Sequence, residues 1–186
     1  MRSRARNFVG AASGVVALSV VAFFALGLIW GLSYPTYRGT VVSGGAMEVD
    51  AGSGQEFRSW ALLVFGSGAL SAAMAVAVFL RSARSRGLAM QLWLAVTSVV
   101  GTVLAYDAGL WLARLRLPVP SLESLHPGDT IEMVGAVSLG APIAVLFPAL
   151  MSTLAYWSCA VVSRSDEVLD TADPARYYNQ GAEIRP

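Results

Sequence analysis

The residue with the strongest claim to chemistry is Asp107, set in Leu104-Ala105-Tyr106-Asp107-Ala108-Gly109 within a long apolar run. A carboxylate inside a membrane span is costly, so it should face a helix bundle or water and hold a partner. Asp107 lies six residues before Ala113, about 9 Å along a helix at about 1.5 Å per residue. Arg114 follows two turns on along the same face, and Arg58 stands near the same outer edge. Asp107, Arg114 and Arg58 are therefore the candidate intramembrane polar site. Its two readings are a structural charge pair and a proton or substrate path. One carboxylate with no second acid, His or Lys in a span makes a thin proton relay.

Other chemistry-bearing residues are sparse. Glu123 and His126 are three apart, but one His and one Glu make a poor metal site. Cys159 stands alone and reads as a small apolar packing residue. No phosphate loop, G-x-S-x-G elbow, H-E-x-x-H or paired intramembrane acids occur. The expectation is no enzyme, no catalytic residue, no metal and no cofactor. Arg81, Arg84 and Arg86 in one short connection suit anionic lipid headgroups, or serve as a topology signal only.

The elements that must position these residues follow from composition. Of 186 residues, 55% are hydrophobic and 13% are charged, about half the charged share of an ordinary soluble domain. The net charge of +1 argues against a nucleic-acid partner. Four stretches reach the roughly 20 residues that a helix needs to cross a bilayer. The spans run over about 8–32, 60–80, 88–113 and 142–162, joined by external loops 33–59 and 114–141. The membrane domain is 1–163, and 164–186 is a polar tail, partly disordered or partner-bound. Pro142 suits the first turn of the fourth helix, and Pro148 should kink it. Asp129-Thr130-Ile131-Glu132 has the form of a capping box. It predicts a short interfacial helix over Ile131–Gly140 before the last span, the competing reading being a single long tilted helix. The fold class is thus an all-α membrane protein: a four-transmembrane-helix bundle with a small external β-hairpin-like loop and that interfacial helix.

The basic residues are all Arg, and nine of the 13 fall on one side of this arrangement. The positive-inside rule makes that side cytoplasmic, with both termini. Trp30, Tyr34, Trp60 and Trp111 at the outer ends, and Trp93, Tyr156 and Trp157 near the inner ones, fit aromatic belts. The first apolar run exceeds the 7–15 residues of a signal-peptide core and reads as an uncleaved anchor. Thr40–Ser43, Gly44-Gly45 and Ala46–Val49 read as strand, two-residue turn, strand. Pro118, Pro120 and Pro127 favour extended backbone in the second external loop.

Helices in lipid associate through small residues. Gly27-x-x-x-Gly31 in the first span, and Gly101-x-x-x-Ala105-x-x-x-Gly109 in the third, are the candidate packing faces. Gly10-x-x-x-Gly14 and Ser67-x-x-x-Ser71 share the spacing. The partner helix of the third span is left open, in the same chain or another.

Taken together, Trp30-Gly31-Leu32-Ser33-Tyr34-Pro35, the external Val41–Trp60 segment, Arg86-Gly87 and Phe147-Pro148-Ala149 leading to Tyr156 give a recognisable pattern. In these features the chain resembles an uncharacterised actinobacterial family of small integral membrane proteins, a domain-of-unknown-function family. The likeness covers most of the chain up to Asp170 and implies a four-helix membrane fold. It implies no activity, cofactor or site residue. The Arg-only, Ala/Gly/Val-rich composition fits a high-GC actinobacterial source.

The expected function is a non-enzymatic accessory or scaffold subunit of a cell-envelope or respiratory membrane complex. The alternative is an oligomeric small-solute or proton-coupled transporter or channel using Asp107. Expected partners are the lipid bilayer and other membrane subunits or a second copy.

Overall fold

A computed structural model of the chain describes residues 2–42, 47–49, 54–82, 86–117, 126, 128–135, 137–140 and 142–171. The Gly44-Gly45 turn, Arg84, Pro118, Pro120, Glu123, Pro127 and the tail beyond 171 lie outside them. The elements in order are α1 (Arg2–Leu32), β1 (Thr36–Val41), β2 (Met47–Val49), α2 (Gln55–Arg81), α3 (Leu88–Arg116), β3 (Thr130–Val134) and α4 (Pro142–Thr171). All four helices are long and apolar enough to cross a membrane.

The chief packing partners are α1 with α3 and α2 with α4, followed by α3 with α4. Small residues set the first of these. A Cβ on Gly27 would run into the Ala105 backbone, and one on Gly31 would come 2.6 Å from the Gly109 carbonyl oxygen. Gly101 lies under the Phe23 ring and Gly109 under the Trp30 ring. Nearer the start of both helices, the Trp93 indole N–H donates to the Ala12 carbonyl at 3.2 Å. These contacts rise together along both helices, so α1 and α3 run parallel, backbone on backbone. Gly10 and Gly14 meet nothing within 4 Å of a built Cβ. On the other pair, Gly68 faces Phe147, and Phe79 meets Tyr156 edge to face at 5.2 Å. Those two contacts make α2 and α4 parallel as well.

Pro142 is the first residue of α4, where its missing N–H is harmless. Pro148 is inside that helix and buried.

The sheet has three strands in the order β2-β1-β3, all antiparallel. β1 pairs β2 with Val41 opposite Met47. A two-residue Gly44-Gly45 turn would set Val42 opposite Met47, so the register is one residue off that hairpin. β3 replaces the expected interfacial helix. Thr130–Val134 lies along β1 with Thr36 opposite Val134 and Thr40 opposite Thr130. The capping box is not used as one: the Asp129 carboxylate accepts the His126 N–H at 2.8 Å, and Glu132 meets Arg38 directly across the sheet at 3.4 Å. Thr, Ile and Val favour a pleated strand. With β1 offering a free edge, five ladder positions outweigh one helix-start signal. Gly135 then brings the chain against β1: its N–H donates to the Pro35 carbonyl at 2.9 Å, and a Cβ there would lie 2.7 Å from the Tyr37 ring.

The core has two clusters. The one at the sheet end holds Phe23, Trp30, Tyr34, Leu63, Ala105 and Val137; the other, around the α2–α3 connection, holds Val15, Val78, Phe79, Met90, Leu94 and Tyr156. Trp30, Tyr34 and Tyr156, expected in aromatic belts, are core residues. Trp111 and Trp157 are more than half exposed and Trp93 is at the edge of exposure.

Candidate functional site

Asp107 does not turn into the bundle. It is exposed, and it makes no hydrogen bond or ion pair among the described residues. The cause is geometric. Gly101, Ala105 and Gly109 are the face that α1 occupies. Asp107 is two residues from Ala105, about 200° around the helix at about 100° per residue. It shares its outward face with Leu92, Val96, Val100, Val103 and Trp111, all exposed. Arg58 and Arg114 are also exposed, and neither pairs with Asp107. The three expected partners therefore do not come together. Among the described residues Arg38 pairs with Glu132, and the His126 ring nitrogen lies 3.9 Å from the Asp129 carboxylate, both at the surface.

Inside the bundle the polar groups are hydroxyls, and most are satisfied by their own helices. Ser67, Ser98, Thr102 and Ser152 each donate to a carbonyl three or four residues back. The buried Ser19, Ser59 and Ser71 hydroxyls have no such partner.

A cleft lies at the sheet end, between the last turns of α3 and the chain leading from β3 to α4. Its volume is about 610 Å³. Tyr34, Tyr106, Leu110, Arg114, Met133 and Val137 line much of it. Two phenols hold its floor. The Tyr106 hydroxyl donates to the Val137 carbonyl at 2.9 Å, and the Tyr34 hydroxyl accepts the Val137 N–H at 3.2 Å. Burial pushes the Tyr34 phenol pKa up, against the lowering effect of its Val137 hydrogen bond and of Arg114. The Trp30 ring packs edge-on to Tyr34 at 5.0 Å, and its N–H donates to the Ser59 carbonyl at 2.8 Å. The end of α1 is thereby pinned to α2 beneath the cleft. Arg116 closes the neighbouring corner by donating to the Leu32 carbonyl at 2.9 Å. Arg114 makes no hydrogen bond or ion pair among the described residues.

At the opposite end Arg86 is not simply free for headgroups. Its Nε donates to the Phe79 carbonyl at 2.9 Å and its guanidinium lies 4.1 Å over the Phe79 ring. It thus closes the last turn of α2 beside Arg81, which is exposed. The next residue, Gly87, donates its N–H to the Tyr156 hydroxyl at 3.0 Å. Cys159 is partly buried against the second core cluster. No group of three metal-ligating side chains occurs among the described residues.

The sequence reading missed Tyr106 and Val137. Tyr106 is next to Asp107, and a phenol inside an apolar helix was itself a signal, since a buried hydroxyl seeks a partner. Val137 acts through its peptide group alone, which no side chain announces. Compared with protein-family models, with curated proteins and with solved structures, the chain matches none.

Proposed function

We propose that this chain is a multi-pass protein of a bacterial plasma membrane, with both termini cytoplasmic, and a non-enzymatic accessory subunit of a larger cell-envelope or respiratory complex. The observation that carries the proposal is the outward, unpaired Asp107 on an apolar helix face. Gly27 and Gly31 of α1 and Gly101 and Gly109 of α3 pack within the chain, so a second subunit does not dock on them. Among the exposed apolar faces, that of α3 carries the unpaired carboxylate of Asp107. A carboxylate facing lipid costs up to about 2.5–3.5 kcal/mol at the helix centre on insertion scales. A neighbouring span bearing Lys or Arg offsets that cost and gives the docking a fixed register. A transport path within one copy gains nothing from Asp107, because its side chain points out of the bundle.

Native-level purification in mild detergent tests this reading, combined with Asp107→Asn. The expected result is a co-purifying membrane protein that falls about tenfold or more in the variant, as truncating one member of a desolvated charge pair does. Photo-cross-links from position 103 or 111 should land on a span of that protein carrying Lys or Arg. A lone monomer in both forms overturns the reading. So does loss of solute flux in Asp107→Asn at unchanged abundance with no partner lost.

A further inference from the structure

We infer that the sheet-end cleft is a binding site for an anionic phospholipid, with Arg114 holding the phosphate and the apolar wall holding the start of an acyl chain. The inference rests on the chain residing in a membrane but not on the accessory role.

Three features point to that occupant. Arg114 is an exposed residue lining a cleft, and its guanidinium makes no hydrogen bond or ion pair among the described residues. Arg116, two residues on, is already committed to the Leu32 carbonyl. A fork of five N–H donors suits a phosphate, and bidentate pairing is where Arg differs from Lys. Next, two hydroxyls of the cleft each have a proton to offer. The Tyr34 hydroxyl accepts the Val137 N–H, and its own proton has only the Val137 carbonyl oxygen at 3.5 Å, beyond the usual range for O–H···O bonds. Ser138, also on the lining, accepts the Gly140 N–H at 3.0 Å and keeps its proton to give. Among the described residues no carboxylate lines the cleft. Last, the wall below Arg114 is apolar. Leu110 is one turn back along α3, and Met133 and Val134 face it from β3. Arg114 stands where α3 ends its apolar run, the depth at which a phospholipid carries its phosphate. A soluble anion would have no use for the Leu110 wall.

The test uses the full chain in nanodiscs of mixed phosphatidylglycerol and phosphatidylcholine, with bound lipid read by native mass spectrometry. Wild type should retain phosphatidylglycerol about fivefold above its bulk share, as one Arg near a membrane surface contributes about 1 kcal/mol. Arg114→Gln should fall to the bulk ratio. Arg58→Gln, an equal loss of charge at the same end, should keep the enrichment. On wild type alone, added phosphatidylglycerol should raise the melting temperature and phosphatidylcholine should not, which needs no variant to fold. Absence of enrichment in wild type, or equal enrichment in Arg114→Gln, overturns the inference. Displacement of the bound lipid by millimolar inorganic phosphate also overturns it, in favour of a soluble anion.

Discussion

Tyr34 carries three duties: it packs on Trp30, it floors the cleft, and its oxygen accepts the Val137 N–H. Removing that oxygen leaves a buried donor unmet, which costs about 1–3 kcal/mol. Tyr34→Phe should therefore lower stability by that amount in detergent unfolding at neutral pH. The alkaline limb is informative too. Burial raises the Tyr34 pKa above its ordinary value of 10.0, and burial and the Glu56 carboxylate do the same for Tyr37. A raised pKa in the folded state favours the protonated form. The resulting stability is present in full below the unfolded value near 10 and is lost as pH rises through the folded value. Stability should thus fall above about pH 10, less steeply in Tyr34→Phe, with tyrosinate absorbance following the same titration. Asp107 shows the opposite kind of residue. Its type was easy to single out, but its direction was not. Asp107 could face the bundle or water, and two residues of helix separate opposite sides, so the packing of Gly101, Ala105 and Gly109 on α1 turns it outward. Packing area decided the matter in favour of the glycines.

Among the elements, the helices were legible and the sheet was only half so. Expected spans 60–80 and 88–113 lie inside α2 and α3, and 142 is the observed start of α4. Long apolar runs admit few alternatives. β3 was hidden because its five residues also follow a helix-start pattern, and its partner β1 lies about ninety residues earlier in the chain. A local signal cannot report so distant an edge. The small-residue spacings were visible as well, but not which of them would be used. Gly109 meets the Trp30 ring and lies 2.7 Å from the Gly27 carbonyl oxygen at Cβ distance, whereas Gly14 meets nothing. Gly109→Leu should destabilise the α1–α3 pair by about 1–3 kcal/mol, the usual cost of overpacking. Gly14→Leu should stay within about 0.5 kcal/mol. Paired unfolding curves check both.

At the scale of the whole molecule, the sheet joins the exit of α1 to the entry of α4, and the α2–α3 connection marks the other end. The proposed orientation sets the sheet outside the cell. A membrane-impermeant thiol reagent on intact cells should label His126→Cys and spare Arg81→Cys in a Cys159→Ala background. Both native side chains are exposed. Labelling that reverses on these two positions would invert the topology and leave the bundle unchanged. The nine-to-four split of Arg residues was readable without any coordinates, because it depends on order along the chain and not on contacts.

The parallel pairing of α1 with α3 also sets a timetable for biosynthesis. Ala105 lies 78 residues after Gly27. At about 5–20 residues per second of synthesis, the first helix waits about 4–16 s before the backbone it fits has emerged. Throughout that interval its glycine face has no native neighbour, and α2, which arrives first, is a minor contact of the finished bundle. The nascent protein thus passes through a stage in which a glycine-lined helix stands without the neighbour it fits. Variants that slow translation between α2 and α3 would prolong that exposure without altering a single native contact.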